Sequence, residues 1–351
     1  MKILYLTDIL PKMTSGPANA VPLRIAAQAK FDDVFWLNTN DFFQWQSQDY
    51  QFDFGEEWKT RSLADVPFEP DIIVFQGVYQ WLKKSNYPKD ARRKNIPYVI
   101  LPHSQLNLKS RDTKFLFLVV GSPRQFEVFI THAKAVQFFS EEQKAESSFF
   151  NAPTIIITNG ISPQKQIIRS FQNKCNALFI GRFAVNQKGL DLLFETLANE
   201  KETLTKSKFH LDMYGVGTID FLFEKFPVQD LVTIHAPVFG EKKDSAFRSA
   251  DMFILPSRFE GQSVALLEAL SYSLPVLTTT ACNMQREIES TSAGYVATPS
   301  VDNITEKLLS FLRNMPNDYE TMSNAAFNLS KHYYWNEIAA NTHDIYSTLL
   351  K

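Results

Sequence analysis

Short apolar runs recur along the chain, and each is followed by a segment with the spacing of an amphipathic helix. The first half has such runs at residues 3–6, 34–37, 72–75, 98–101, 135–139 and 154–157. The second half has them at residues 177–180, 209–213, 232–234, 252–255, 275–277 and 294–296. Alternation of short strands with helices is typical of parallel sheets that are covered by helices. The pattern therefore predicts an α/β protein with doubly wound parallel sheets.

The rhythm breaks near the middle of the chain. The turn Asn159–Pro163 and the polar stretch 164–173 separate the two series of strands. A chain of 351 residues also exceeds the size of one ordinary core. We therefore predict two domains, residues 1–165 and 166–332, with a hinge near residues 160–173 and a last helix over residues 334–350.

Composition narrows the class of protein. The net charge of −2 and the lack of any RNA-binding or helix-turn-helix signature argue against nucleic acid as a partner. Cys175 and Cys282 form no Cys-x-x-Cys pair, which argues against disulfides and zinc and suits a reducing cytoplasm. The N-terminus has the pattern of a first strand rather than of a signal peptide. The apolar run Phe115–Val120 is far shorter than the ~20 residues of a membrane span, so we expect a soluble or peripheral protein.

The segment 251–270 joins a buried strand, a glycine turn and a helix. Glu260 and Gly261 form the turn, and Ser263 stands where the N-cap of the helix is expected. Unpaired N–H groups and the positive end of the helix dipole make such a junction an anion site. Two carboxylates flank it, Glu260 in the loop and Glu268 in the helix, and carboxylates bind hydroxyls rather than phosphates. The combination suits a ligand with a diphosphate and a polyol, which describes a nucleotide-sugar.

Glu260 and Glu268, with seven residues between them, resemble the E-x7-E signature of retaining glycosyltransferases. The pattern is most similar to family 4 of the GT-B fold, the glycosyl transferases group 1. The resemblance implies two Rossmann-like domains that face each other across a cleft, with residues 333–351 packed back on the first domain. It also implies that Glu268 holds the ribose diol of the donor and that Glu260 holds hydroxyls of the donor sugar.

Two cations are candidates for the diphosphate. Arg182 ends a strand, and Lys188 stands near the start of the next helix. A cation opposes the helix dipole there at a cost of roughly 0.3–1 kcal/mol, which suggests a compensating anionic ligand. An arginine can fork two phosphate oxygens, while a lysine acts as a compact point charge. The spacing also resembles that of the family, which assigns the diphosphate to both residues.

The chain contains no Asp-x-Asp sequence. Glycosyltransferases that hold the diphosphate through a divalent metal usually need that pair. Because Arg182, Lys188 and a helix N-terminus can stabilise the leaving group instead, we expect neither a metal nor another cofactor. The nucleoside-diphosphate sugar is then a substrate.

Other candidates lie at other strand ends. His103 stands in Pro-His-Ser, where the family typically has Pro-His-Gly and its histidine reaches the donor sugar. Related enzymes often have a Gly-Gly turn after the first strand, and of these two glycines this chain has only Gly16. The resemblance also implies that Gly215 lines the nucleotide and that the turn at Gly240 holds the base. The predicted catalytic residues are His103, Arg182, Lys188 and Glu260. The predicted donor-binding residues are Gly16, Gly181, Arg182, Lys188, Gly215, Phe239, Gly240, Glu260, Gly261, Gln262, Ser263 and Glu268.

We therefore predict a retaining, metal-independent hexosyltransferase that uses a nucleoside-diphosphate sugar, with uridine the commoner base, and a glycan acceptor in surface polysaccharide or glycoconjugate synthesis. One alternative is an inactive GT-B-shaped binding subunit of a glycosylation complex. A second is a sugar-nucleotide epimerase on the same fold, which would need no acceptor.

A basic cluster in the first domain bears on the acceptor. It comprises Lys83, Lys84, Lys89, Arg92, Arg93 and Lys94, with Lys109, Arg111, Lys114 and Arg124 around residues 115–120. Anionic headgroups attract such clusters by ~1 kcal/mol per cation, and Trp81 and Tyr87 are candidates for insertion at the interface. One hypothesis is peripheral binding to the inner membrane face with a lipid-linked acceptor. The other is a helix with a solvated basic face and residues 115–120 in the core.

Overall fold

The computed structural model of the protein describes residues 1–10, 16–41, 48–83, 85–103, 105–107, 123–147 and 151–351. The chain divides into two compact units. The first comprises Met1–Gly160 and Trp335–Lys351, and the second comprises Ile161–Tyr334. Residues 161–165, predicted in the first domain, therefore lie in the second unit, together with most of the predicted hinge segment.

The first unit is built on a parallel sheet. Its strands are β1 Lys2–Thr7, β2 Asp33–Asn38, β3 Gln51–Phe54, β4 Ile72–Gln76, β5 Tyr98–Leu101, β6 Ala135–Phe138 and β7 Thr154–Ile156, in the spatial order β3-β2-β1-β4-β5-β6-β7. Its helices are α1 Gly16–Gln28, α2 Gln80–Lys83, α3 Tyr87–Arg93, α4 Pro123–Thr131, α5 Glu141–Ala145 and the C-terminal α14 Trp335–Leu350, with a 3₁₀ turn at Glu56–Lys59. The predicted helix at the C-terminus thus packs in the first unit, against α1.

The second unit repeats the architecture. Its strands are β8 Cys175–Ile180, β9 Phe209–Tyr214, β10 Val232–His235, β11 Met252–Leu255, β12 Val276–Thr279 and β13 Gly294–Ala297, in the spatial order β10-β9-β8-β11-β12-β13. Its helices are α6 Val185–Lys188, α7 Leu190–Asn199, α8 Lys201–Lys206, α9 Asp220–Lys225, α10 Gly240–Ser249, α11 Val264–Ser271, α12 Gln285–Thr291 and α13 Val301–Ser330, with 3₁₀ turns at Thr280–Cys282 and Lys331–Tyr333. The predicted α/β class with doubly wound parallel sheets is confirmed.

The central strands are apolar because both faces of each sheet are covered. β4 and β11 are buried at every position. Near-continuous burial is typical of parallel strands with helices on both sides, and it explains why these strands appear as unbroken apolar runs in the sequence. The strand β3 was not predicted, because its Gln-Phe-Asp-Phe sequence alternates polar with aromatic residues at the edge of the sheet.

The segment that precedes β8 is fastened to the second unit by a buried arginine. Arg169 donates to the carbonyl oxygens of Tyr272 (3.0 and 3.2 Å), Phe247 (2.9 Å) and Ala250. These carbonyls lie at the C-terminal ends of α10 and α11, where a cation satisfies orphan carbonyls and complements the helix dipoles. Ile167 adds a backbone hydrogen bond to the hydroxyl of Ser273 (3.1 Å).

One expectation about the basic cluster is wrong. Trp81 and Tyr87 are buried instead of available to an interface: the indole of Trp81 packs edge-on against Phe75 and the phenol of Tyr87 donates to the carbonyl of Trp58 (2.9 Å). Arg92 and Arg93 occupy the last turn of α3, where cations are ordinarily stabilising.

The remaining members of the cluster divide between exposed positions and undescribed ones. Lys89, Arg93, Lys94 and Arg124 are exposed. The side chain of Lys83, and Lys84, Lys109, Arg111, Lys114 and Phe115–Val120, lie outside the described residues. Among the helices that the structure describes, none combines the length and the hydropathy of a membrane span.

Candidate functional site

Two glycines bring strand ends of the second sheet into close contact. Gly181 follows β8 and Gly215 follows β9, and a Cβ on Gly215 would lie 2.0 Å from the carbonyl oxygen of Gly181. No side chain fits there, so a glycine at residue 215 is required by the approach of the two loops. Arg182 follows at the same edge. It is exposed, and its guanidinium has one described contact, with Gln187 at 3.4 Å.

Lys188 ends a short helix rather than opening one. It is the last residue of α6, and Gly189, in the left-handed region at φ 63°, separates it from α7. A Cβ on Gly189 would lie 2.0 Å from the carbonyl oxygen of Pro256, so this glycine lets the turn approach the end of β11. This close contact places Lys188 next to the loop that contains Glu260.

The Glu260 carboxylate is paired with Lys188. Its Oε1 accepts from the Lys188 ammonium and from the Ser257 hydroxyl (2.9 Å), and little of either charged side chain is exposed. The charge that the sequence marks as misplaced is therefore compensated within the protein. Asn283 holds the same loop from behind, because its Nδ2 donates to the carbonyl oxygens of Glu260 (3.0 Å) and Gly261 (2.9 Å).

The loop leads into α11 as the sequence predicts. Ser263 is the N-cap of this helix, and its side chain accepts from the backbone N–H of Leu266 at 3.4 Å. Gln262 and Ser263 are both buried. The first N–H groups of a helix have no intrahelical partner, so the positive end of α11 lies next to the Glu260 loop. Gly261, Gln262 and Ser263 thus take the positions expected of an anion-binding turn.

Glu268 has a partner that the sequence did not predict. Its Oε1 lies 2.6 Å from the ammonium of Lys243 on α10, and about a quarter of each side chain is exposed. Phe239 occupies the N-cap position of α10 without a capping hydrogen bond from its side chain. Gly240, the first residue of α10, has a positive φ of 53° and open space where a Cβ would be. The ion pair therefore joins α10 to α11, and Phe239 and Gly240 lie at the N-terminus of α10.

Two predicted residues belong to the first unit. Gly16 is the first residue of α1, and it is exposed. His103 follows β5 with a positive φ of 54°, and its Nε2 lies 2.9 Å from Oε1 of Gln76. Burial, helped by the charge of Arg24, lowers the pKa of His103 to about 3. Each of these residues lies at the carboxyl edge of the first sheet, where ligands of parallel sheets bind.

Sequence reasoning missed the side chains that hold the site together. Arg258 forks the carboxylate of Asp191 with two 2.7 Å contacts, which raises the pKa of Arg258, and it also donates to the carbonyl of Asn186. It therefore fastens the turn near Lys188 to the loop after β11. The sequence offers a hint of Asn283, because asparagine is enriched in the left-handed conformation, which Asn283 adopts at φ 59°. It offers no such hint of Ser257, Lys243 or Gln76.

Part of the second unit resembles a known protein family. Residues 174–314 match the family described as glycosyl transferases group 1. An uncharacterized glycosyltransferase of Methanocaldococcus jannaschii is 25% identical over 200 residues, which cover 56% of this chain and 54% of that protein. The lipopolysaccharide glucosyltransferase WaaG of Escherichia coli is 30% identical over 170 residues, which cover 46% of this chain and 41% of WaaG. The chain thus spans about half the length of the curated relatives it matches.

The fold is shared over the whole chain. The structure of HepE from Anabaena in complex with UDP superposes with a TM-score of 0.75 at 14% identity, covering 99% of this chain and 100% of HepE. At this identity the likeness shows the fold alone. The two parallel sheets, the superposition and the matched segment agree with one another. The chain has the GT-B fold, and its residues 174–314 match the glycosyl transferases group 1 family.

Proposed function

We propose that this protein is a retaining, metal-independent glycosyltransferase that transfers a sugar from a nucleoside-diphosphate sugar to a glycan acceptor. One observation carries the proposal. Arg182, the Lys188–Glu260 ion pair and the N-terminus of α11 converge on the carboxyl edge of the second sheet. That edge therefore offers cations and helix N–H groups for a diphosphate and carboxylates for hydroxyls.

The Lys188–Glu260 pair suits a site that exchanges partners on binding. A diphosphate competes with Glu260 for the Lys188 ammonium, since both are anions. Release from Lys188 then leaves the Glu260 carboxylate with lone pairs for the hydroxyls of the donor sugar, while the Ser257 hydroxyl still holds Oε1. A single rearrangement would satisfy both charges, so the ion pair keeps two buried groups compensated until the donor arrives.

The proposed chemistry needs no dedicated base. In the mechanism that the resemblance implies, the departing phosphate oxygen takes the proton of the acceptor on the same face of the sugar. The protein then contributes mainly by stabilising charge on the leaving diphosphate, for which Arg182 and Lys188 are the proposed groups. His103, whose pKa is about 3, is neutral at physiological pH and so suits hydrogen bonding rather than proton transfer.

Uridine is the proposed base, and HepE, solved with UDP, supports that choice by likeness of fold alone. A surface or lipid-linked glycan is the proposed acceptor, and WaaG, a lipopolysaccharide glucosyltransferase, supports it as a relative of the matched segment. Peripheral contact with an anionic membrane remains part of this proposal, because the cations Lys89, Arg93 and Lys94 are exposed. Trp81 and Tyr87 take no part in that contact, because they are buried.

The donor class is tested by a binding panel measured in excess EDTA. Thermal unfolding is followed with UDP, GDP, ADP and dTDP and with their sugars, and then with Mg²⁺ or Mn²⁺ added. A ligand at 100 times its Kd adds ~2.7 kcal/mol to the free energy of unfolding. We expect one nucleotide and its sugars to stabilise the protein in EDTA. Stabilisation that appears only with the metal would contradict metal independence, and no stabilisation by any nucleotide would contradict the donor class.

A change of Glu268 separates the nucleoside from the phosphates. Glu268→Gln should weaken UDP or the nucleotide that the panel selects by roughly 10-fold or more, since a hydrogen bond to a charged group contributes about 1.5–3 kcal/mol. Affinity for inorganic pyrophosphate should stay unchanged, because that ligand has no ribose. Isothermal calorimetry measures both. Glu241→Gln, on the exposed first turn of α10, is the matched control. Equal losses for both ligands would mean that the change disturbs the whole site, and an unchanged nucleotide affinity would contradict a role of Glu268 at the ribose.

A further inference from the structure

His103 is held from three sides. Its backbone is in the left-handed region at φ 54°, and its carbonyl oxygen accepts from the amide of Gln143. Its ring lies 5.8 Å from the ring of Phe139, centroid to centroid. The Nε2 atom lies 2.9 Å from Oε1 of Gln76. A residue with a Cβ at positive φ is held there by its surroundings, so the ring is fixed in place before any ligand binds.

The imidazole is neutral in this environment. Burial is the larger cause of its low pKa of about 3, and the positive charge of Arg24 on α1 is the second. The other groups in contact with the residue, Gln76, Gln143 and Phe139, carry no charge. A neutral imidazole has one N–H and one lone pair. What His103 can offer a substrate is therefore decided by which ring nitrogen carries the hydrogen.

Gln76, the hydrogen-bond partner of Nε2, favours one of the two tautomers. It is the last residue of β4 and is 2% exposed. Its backbone carbonyl oxygen accepts from the indole of Trp81 (3.1 Å) and from the amide of Gln80 (2.6 Å), which fixes the strand end. With its side-chain oxygen toward the ring, Gln76 accepts the hydrogen of Nε2, and the lone pair is left on Nδ1. Within the described residues, no hydrogen bond reaches Nδ1.

We propose that Gln76 is a positioning residue that holds His103 as the Nε2–H tautomer, so that the Nδ1 lone pair accepts a hydroxyl of a sugar substrate. The tautomer is a property of the free protein, whereas the role of Nδ1 rests on the proposed function. Nearest-neighbour partners of this kind set the orientation and the tautomer of functional histidines in general. The motif around His103 does not contain Gln76, which lies on the neighbouring strand β4.

The tautomer is read directly by long-range ¹H–¹⁵N NMR of the imidazoles in the ligand-free protein, with His103→Gln used to assign the signals. We expect a protonated Nε2 and an unprotonated Nδ1 for His103. A neutral histidine side chain already favours Nε2–H, so in Gln76→Leu the fraction of this tautomer should fall toward that of a free histidine. Gln80→Leu, which removes a described contact to the Gln76 backbone, should leave the fraction unchanged. A protonated Nδ1 in the unchanged protein overturns the proposal. This experiment requires no nucleotide, so its failure is distinct from failure of the binding panel.

The kinetic consequence is tested with Gln76→Glu. The Nε2 amide of Gln76 has no hydrogen-bond partner among the described residues, so this change removes no such bond there. A carboxylate accepts only, so it keeps the Nε2–H tautomer and raises the pKa of His103. Protonation below the raised pKa places a hydrogen on Nδ1, so donor binding should weaken as the pH falls, while the unchanged protein shows no such limb. Gln76→Leu should weaken donor binding roughly 10-fold at every pH. Identical pH profiles for Gln76→Glu and the unchanged protein contradict the proposal.

Discussion

Replacement of Arg182 by alanine is expected to lower turnover by roughly 10²–10³-fold, the scale for loss of one group that stabilises charge in a transition state. The residue is exposed and its one described contact is a 3.4 Å hydrogen bond to Gln187, so the fold should be unaffected. Because charge on the diphosphate grows as the sugar leaves, the loss should appear in kcat more than in donor affinity. Steady-state kinetics with the donor from the binding panel measure both quantities.

The control for this prediction is Arg286→Ala, a change to an exposed arginine in the first turn of α12. It removes the same charge from an exposed position of the second unit and should leave kcat within a factor of two or so. If the two variants had equal kcat, Arg182 would have no part in stabilising the leaving group.

Lys188 requires a different design because it is not free in the protein. Lys188→Ala alone would leave the buried Glu260 carboxylate with the Ser257 hydroxyl as its remaining described side-chain partner, so any loss of turnover would be mixed with a loss of stability. The double variant Lys188→Ala/Glu260→Gln removes both charges together. Comparison of the two variants with Glu260→Gln in a double-mutant cycle separates the ion pair from the interaction of each residue with the donor.

The parts of the site that could be predicted from the sequence are those set by local geometry. Ser263 as an N-cap follows from a short-range pattern, because the serine hydroxyl and the N–H of Leu266 are three residues apart. The apolar runs locate the strands for a similar reason, since burial on both faces excludes polar residues from β4 and β11.

The parts that could not be predicted depend on contacts between distant segments. Lys188 and Glu260 are 72 residues apart, and Lys243 and Glu268 are 25 apart. Whether two such charges meet depends on loop paths at the strand ends, which no local pattern specifies. The sequence therefore suggests a ligand as the partner of Lys188, and the structure adds a second partner within the protein, Glu260. Trp81 and Tyr87 were misjudged for a related reason, since composition does not reveal which face of a short helix is buried.

Loss of the Arg169 guanidinium should strongly reduce stability. Arg169→Met leaves the carbonyl oxygens of Phe247, Ala250 and Tyr272 without their cationic donor in a buried environment. Loss of a buried charged donor costs about 3 kcal/mol, which corresponds to a fall in Tm of roughly 6–12 °C for a unit of this size. Differential scanning calorimetry measures the shift. Arg286→Met, at an exposed arginine, is the matched control and should shift Tm by less than about 2 °C.

The location of the effect distinguishes this role from general destabilisation. Arg169 caps the C-terminal ends of α10 and α11, and the opposite ends of these helices carry Gly240 and Ser263. Hydrogen exchange should therefore accelerate in the two helices of Arg169→Met, with little change in the first unit. Arg169→Lys keeps the charge but loses the planar guanidinium, so its Tm should lie between that of the unchanged protein and that of Arg169→Met. Nucleotide affinity should fall together with Tm, because the N-terminus of α11 and Glu268 both belong to the helix that Arg169 caps. Unchanged hydrogen exchange in α10 and α11 would mean that the Arg169 guanidinium does not stabilise these helices.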